Sequence, residues 1–210
     1  MTVPAPNLSF DLTFALIGVA AYLIGSIPTS YIVARQVMGI DIREHGSKNA
    51  GATNVGRVVG KGWGYFTLFL DVLKGLLPVL ALRFFFPSET ILHVLAALLL
   101  LLGHSKSIFL QFTGGKAAAT GLGAVIAVVP VPGLICGALA FGLRFLTRYV
   151  SVGSIVAAAL IAPVAYLYDR LLGQDTPIAY LVFVAVAGLL VIVRHKANIQ
   201  RLMQGTENRI

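Results

Sequence analysis

Three short polar segments interrupt an otherwise apolar chain, and each is rich in residues that bind oxyanions. The first, GSKNAGATNVGR at 46–57, contains no carboxylate. Its glycines let backbone N–H groups approach an anion closely, and Ser47, Asn54 and Arg57 add side-chain donors. Arg57 can grip a phosphate through two parallel hydrogen bonds. The stretch approaches the nucleotide-binding pattern G-x-x-x-x-G-K-[ST]. It departs where Arg57 and Val58 replace the lysine and hydroxyl, and no strand precedes it. The second segment, FTGGKAAATG at 112–121, sets Gly114, Gly115 and Lys116 just before an alanine-rich helix. Amides at a helix N-terminus and the positive end of its dipole then converge with a lysine. The third, RHKANIQRLMQGTENRI from Arg194 onward, places His195 and Asn198 three residues apart on one helical face. Each has a plainer reading: a solvated connector, helix-entry glycines, and an interfacial helix. For Lys196 and Arg201, contact with anionic lipid headgroups is the preferred reading.

These segments need a scaffold, and composition says which kind. The 210 residues are 58% hydrophobic and only 11% charged, against about 25% charged in soluble domains, so the chain has membrane composition. Mean hydropathy is +0.89. Apolar runs at 12–34, 62–86, 90–103, 117–143, 151–168 and 178–193 are candidate spans. The run 117–143 divides into two short helices at Pro-Val-Pro-Gly, residues 130–133. That predicts an all-α integral membrane protein, a bundle of seven transmembrane helices forming one domain over 1–210. With the N-terminus outside and the C-terminus cytoplasmic, every Lys and Arg except Lys74, Arg83 and Arg170 falls on the inner side. The positive-inside rule favours that orientation, and it turns all three polar segments towards the cytoplasm. The net charge of +8 is then explained by topology and not by nucleic acid. No cation precedes the first apolar run, which reads as a retained helix and not a signal peptide. Asn7 begins a glycosylation sequon, and Cys136, the single cysteine, reads as a small core residue.

Asp71 and Lys74 lie inside the second span at i, i+3, a spacing that allows mutual neutralisation in a place where charge is costly. They are read as mainly structural. His45 and His93 have no companions at metal-ligand spacing, and no HExxH, GxSxG, CxxC or DxDxDG pattern occurs. Cytoplasmic segments that offer anion donors without an evident nucleophile or metal site suit an enzyme holding phosphates beside the acyl region of a bilayer. A transferase joining a phosphorylated polar molecule to a lipid chain needs that geometry.

The motifs GSIPTSYIVAR, GSKNAGATNVGR, LLGHSKSIFLQFTGGKAAATG and RHKANIQRLMQGTEN resemble those of the bacterial membrane glycerol-3-phosphate acyltransferases of the PlsY type. The resemblance runs from about Gly25 to Asn208. It implies a seven-span bundle in the bacterial cytoplasmic (inner) membrane. The implied reaction moves a fatty acyl group from acyl phosphate to the 1-hydroxyl of glycerol 3-phosphate, giving lysophosphatidic acid and phosphate. It further implies that Ser47, Arg57 and Lys116 hold substrate phosphate and that Gly114 and Gly115 shape the acyl-phosphate seat. His195 and Asn198 would contact glycerol phosphate, Glu207 would secure the tail, and Ser151 and Ser154 would complete the phosphate pocket. Glycerol 3-phosphate, acyl phosphate and membrane lipid are the expected partners, with no cofactor, metal, nucleic acid or obligatory protein partner.

Two departures from the family pattern are visible. Lys106 and Ser107 stand where an aromatic and a proline are common, and Ala117 stands where glycine is common, which should stiffen the helix start. The soluble-type motif H-x-x-x-x-D is excluded, because Ala50, Leu98, Phe109 and Gln200 follow the four histidines at that spacing. The mechanism expected is direct attack on an already activated anhydride, with His195 or a substrate phosphate oxygen taking the proton. The rival readings are a transporter of phosphorylated solutes, which calls for two similar halves, and a lipid phosphotransferase, which calls for carboxylates to hold magnesium. The sequence shows neither feature.

Overall fold

The structure, a computed structural model, describes residues 8–209, with side-chain surroundings from residue 12; the Asn7 sequon lies outside the described residues. It is all-helical over that range. The helices are α1 (Leu8–Ser26), α2 (Thr29–Met38), α3 (Ala52–Val58), α4 (Lys61–Phe85), α5 (Thr90–Ser105), α6 (Ala118–Val128), α7 (Pro130–Thr147), α8 (Val150–Leu172), α9 (Ile178–Arg194) and α10 (Lys196–Met203). Among the described residues the only β-type pairing is an isolated bridge between Ser107 and Thr113.

The apolar runs become helices at their expected places, with two local differences. The first run breaks at Ile27–Pro28, since proline has no N–H and clashes with the preceding turn. The Ile27 carbonyl freed there accepts from Lys74 Nζ at 3.0 Å. In the run 117–143 the break falls at Val129, one residue before the Pro-Val-Pro-Gly stretch. That stretch is the first turn of α7 and not a connector, because proline at the first helical position loses only an amide that has no helical partner.

Three helical stretches, Leu12–Met38, Pro130–Thr147 and Val150–Leu172, are each long and apolar enough to cross a membrane. A fourth candidate joins α9 and α10 across a 56° bend. Helices α5 and α6, at 16 and 11 residues, are short for a span of about 20. Helix α4 has 25 residues but carries Lys61, Asp71, Lys74 and Arg83. The number seven therefore rests on the sequence pattern.

Small residues bring the helices close. Gly75 of α4 lies against the Thr120 carbonyl of α6, and Gly123 of α6 against the Val72 carbonyl of α4. Gly25 and Gly103 do the same for α1 and α5. With lipid tails as apolar as leucine, such backbone approach is what holds membrane helices together. Gly75→Ala will push Cβ into the Thr120 carbonyl and cost about 1–3 kcal/mol, the usual range for overpacking. Thermal unfolding in detergent measures it; an unchanged midpoint contradicts this packing.

Candidate active site

The first polar segment is shaped by Asn54. Its side chain is fully buried; Nδ2 donates to the carbonyls of Ile42 (3.0 Å) and His45 (2.9 Å), and Oδ1 accepts from Ser47 N (2.8 Å). The amide that the sequence offers to a substrate is thus committed to folding the loop. It fixes the backbone at Ser47 instead. Arg57 donates from Nη2 to the Asn208 carbonyl at 3.0 Å, while its Nε is buried without a partner.

The glycine segment folds back on the end of α5. Ser107 N donates to the Thr113 carbonyl (3.1 Å) and Gly115 N to the His104 carbonyl (3.0 Å). A Cβ on Gly114 would strike that same carbonyl, and one on Gly115 would strike His104 Nε2 and the Ala50 carbonyl. The two glycines are therefore required for close packing, and the Gly115 amide is not free for an anion. Ser107, in place of the usual proline, is buried and donates to the Ser26 carbonyl at 2.6 Å, pinning the loop to α1. Ala117 precedes α6 in the left-handed region, at φ 58°. Glycine there carries no Cβ penalty, so alanine costs about 1–2 kcal/mol and does not stiffen the helix itself.

The third segment returns the chain to both others. Arg194 donates to the Gly115 carbonyl at 3.0 Å, clamping the glycine loop from α9. His195, between α9 and α10, is buried and donates from Nδ1 to the Val191 carbonyl at 2.7 Å, which leaves Nε2 as the acceptor. Burial, opposed by that hydrogen bond and reinforced by Lys116, lowers its pKa to about 4, so the ring is neutral at pH 7. Asn198 Oδ1 accepts from Lys116 Nζ, and its Nδ2 donates to Glu207 Oε1 at 2.6 Å. Glu207 also accepts from Ser151 Oγ (2.9 Å) and pairs through Oε2 with Arg201 Nε (2.7 Å). Burial opposes its charge, but the bonds from Asn198, Arg201 and Ser151 prevail and hold the carboxyl below its ordinary value. For Lys116, burial outweighs the attraction of Glu207, and nearby arginines add repulsion; its pKa falls to about 8.

Ser47, Arg57, Lys116, His195, Asn198, Ser151 and Glu207 thus belong to three converging segments and the start of α8. Ser154 is set apart. Its hydroxyl donates back to the Val150 carbonyl at 3.1 Å, and it lines an apolar cavity of about 420 Å³ between α4, α6, α7, α8 and α9. That cavity begins where the polar cluster ends: Ala118 follows Lys116 by two residues, Val150 precedes Ser151, and Val191 holds His195. Among the described residues no three His, Cys, Asp or Glu side chains are placed to share a metal ion.

The sequence model described as glycerol-3-phosphate acyltransferase matches residues 15–205. The chain belongs to the glycerol-3-phosphate acyltransferase family. Glycerol-3-phosphate acyltransferases from Acholeplasma laidlawii and Synechocystis sp. are 42% and 43% identical to it. The alignments cover 91% of both chains in the first case, and 90% of this chain and 87% of the relative in the second. The crystal structure of PlsY, an integral membrane glycerol 3-phosphate acyltransferase, in its glycerol 3-phosphate form superposes with a TM-score of 0.84 at 37% identity. It covers 94% of this chain and 96% of that one. The lysophosphatidic acid form gives 0.83 at the same identity, with 94% and 95% covered. This protein is accordingly an integral membrane acyltransferase of the PlsY type.

Several residues of the acyltransferase site escape the sequence reading. Arg201, read there as a lipid contact, is the ion-pair partner of Glu207. Arg194 holds the glycine loop. Beneath that loop, Asp71 and Lys74 do pair, at 2.9 Å, but within a larger network: Thr29 donates to Asp71, and Lys74 and Thr120 each lie 3.1 Å from His104 Nδ1. Intramembrane charge was the available signal for that network; for Arg194 and Arg201 there was none. Replacing Glu207 by Ala strands the Ser151 hydroxyl and Asn198 amide, at about 1–3 kcal/mol each. Limited proteolysis will then cut the tail after Arg201 much faster than in the unmodified protein. Equal cutting rates contradict the tail's dependence on Glu207.

Proposed function

We propose that this acyltransferase moves a fatty acyl group from acyl phosphate to the 1-hydroxyl of glycerol 3-phosphate, releasing lysophosphatidic acid and inorganic phosphate. The observation that carries the reading is an apolar cavity of about 420 Å³ whose lining begins at Ala118, two residues past Lys116, and at Val150, next to Ser151: charge for a phosphate beside room for an acyl chain. It is supported by relatives and solved structures named for glycerol 3-phosphate acyl transfer. The chain acts as a single domain of seven spans in the bacterial cytoplasmic membrane, N-terminus outside, C-terminus and site facing the cytoplasm.

The glycerol oxygen attacks the acyl carbon, the acyl carbon–oxygen bond to phosphate breaks, and phosphate leaves with the bridging oxygen. Lys116 and Arg57 meet the charge that grows on that leaving group, a preorganised electrostatic contribution. Lys116 spends one of its three protons on Asn198, leaving two for substrate. Ser47 adds a hydroxyl, Ser151 spends its one proton on Glu207 and braces the tail, and Gly114 and Gly115 set the loop's height. Neutral His195, with Nε2 accepting, orients the hydroxyl; Asn198 fixes Lys116. A pKa of about 4 makes His195 a poor proton acceptor, whereas a phosphate monoester with a second pKa of about 6 is a better one. The proton therefore passes to a phosphate oxygen, and no covalent enzyme intermediate forms.

The direct test supplies the purified protein with glycerol 3-phosphate and one donor at a time: palmitoyl phosphate, palmitoyl-CoA or palmitoyl acyl carrier protein. Lysophosphatidic acid from palmitoyl phosphate alone is expected; product only from a thioester overturns the donor. The pH profile adds an independent check. Lys116 is cationic below about 8 and neutral above, so kcat/KM should fall as pH rises through 8. His195 stays neutral down to about 4, so the acidic limb expected at about pH 6 belongs to the substrate phosphate and should persist in His195→Gln. A limb there that vanishes in His195→Gln would make His195 the base.

A further inference from the structure

The apolar cavity has an opening that the transfer reaction alone does not explain. Helix α4 packs along α6 and α7 along α8, but α4 and α7 face each other across the cavity without packing along their lengths. Tyr65 and Phe69 of α4 and Phe141 of α7 line the cavity, yet are 43%, 58% and 43% exposed on the bundle surface. One pair of side chains bridges this seam. Arg144, in the last turn of α7, donates from Nη2 to Tyr65 Oη at 3.1 Å. Its guanidinium carbon sits 5.1, 5.4 and 5.7 Å from the ring centres of Tyr65, Phe141 and Phe145. Its Nε is buried without a partner, and among the described residues no carboxylate pairs with it.

We propose that the seam between α4 and α7 is a lateral portal through which the long acyl chain enters from, and lysophosphatidic acid returns to, the bilayer, with the Arg144–Tyr65 pair as its latch. This rests on the function proposed above. Next to Ala118 and Val150, where the lining reaches the polar segments, the chain is tied by the bonds of Lys116 to Asn198 and Ser151 to Glu207, with Arg57 held to Asn208 nearby. An acyl chain leaving that way would drag each methylene through water and lose its hydrophobic free energy. A sideways path keeps the chain in hydrocarbon throughout. It also passes a cation with no carboxylate partner, suited to a lipid phosphate moving at headgroup depth, where arginine stems commonly reach the interface. Tyr65 can release Arg144 without leaving a buried charge unpaired, because the phosphate replaces it.

The test closes the portal reversibly and reads a ratio. Tyr65→Cys and Arg144→Cys are introduced together in a Cys136→Ala background, whose own rates set the baseline. They are then bridged with a bifunctional thiol reagent whose link is cleaved by dithiothreitol. Turnover is measured with palmitoyl phosphate, which must come from the bilayer, and with butyryl phosphate, which can come from water. Bridging should lower the palmitoyl-to-butyryl turnover ratio at least tenfold, and reduction should restore it. Recovery on reduction also shows that the protein stayed folded. A ratio unmoved by bridging, or equal loss with both donors, overturns the portal. Arg144→Gln gives a second reading without cross-linking: KM for palmitoyl phosphate should rise severalfold more than KM for butyryl phosphate, and equal changes count against the latch. If the unmodified protein acylates glycerol 3-phosphate from neither donor, the proposed function itself has failed, and the portal as a substrate route fails with it.

Discussion

One buried carboxylate organises a site made otherwise of cations. Arg57, Arg194 and Arg201 lie close enough to Lys116 to repel its charge, and Glu207 is the carboxylate that attracts it. Like charges drawn together out of water repel strongly, and one anion accepting from Asn198, Ser151 and Arg201 offsets that repulsion. Glu207 does more than neutralise. By taking the Asn198 amide nitrogen on Oε1, it turns the Asn198 oxygen towards Lys116. By taking the Ser151 hydroxyl, it locks the C-terminal tail to the start of α8. Orientation thus runs from tail to α10 to glycine loop through hydrogen bonds that have only one satisfied arrangement.

The second constraint is close packing beneath the loop. Gly114 and Gly115 lie so near His104 that no side chain fits, and His104 is itself held between Lys74, Asp71 and Thr120. The position of Lys116 is therefore set by helices α4, α5 and α6 and not by the loop alone. Because α4 and α6 meet through glycine, the same helices that fix the loop leave space on their other side for the apolar cavity. Polar seat and hydrocarbon chamber are two faces of one packing arrangement.

Most of this architecture is legible in the sequence, because it depends on local pattern. Apolar runs of helical length give the helices, the Pro130 stretch gives one break to within a residue, and three cation-bearing segments give the polar end; the break at Pro28, inside the first run, escapes the sequence reading. What was hidden depends on where distant segments meet. Asn54 has the chemistry of a ligand, but three backbone groups of its own loop claim it. Arg201 resembles any interfacial cation until the tail doubles back and brings Glu207 to it. Ser107, in place of a stiff proline, reaches the Ser26 carbonyl of another helix, which no spacing rule reveals. The α4–α7 seam is likewise an outcome of packing that no local pattern reveals.

The central claim is that one ligand must satisfy both ends: a phosphate on Lys116 and Arg57, and a chain in the cavity behind them. Competition binding in nanodiscs tests this most directly, using hexadecylphosphonate, hexadecanol at the same membrane mole fraction, and methylphosphonate. Hexadecylphosphonate should bind at least about 100-fold more tightly than either fragment, equivalent to some 2.7 kcal/mol, and Lys116→Ala should erase that advantage. Equal affinity for hexadecanol, or no effect of Lys116→Ala, would contradict the account.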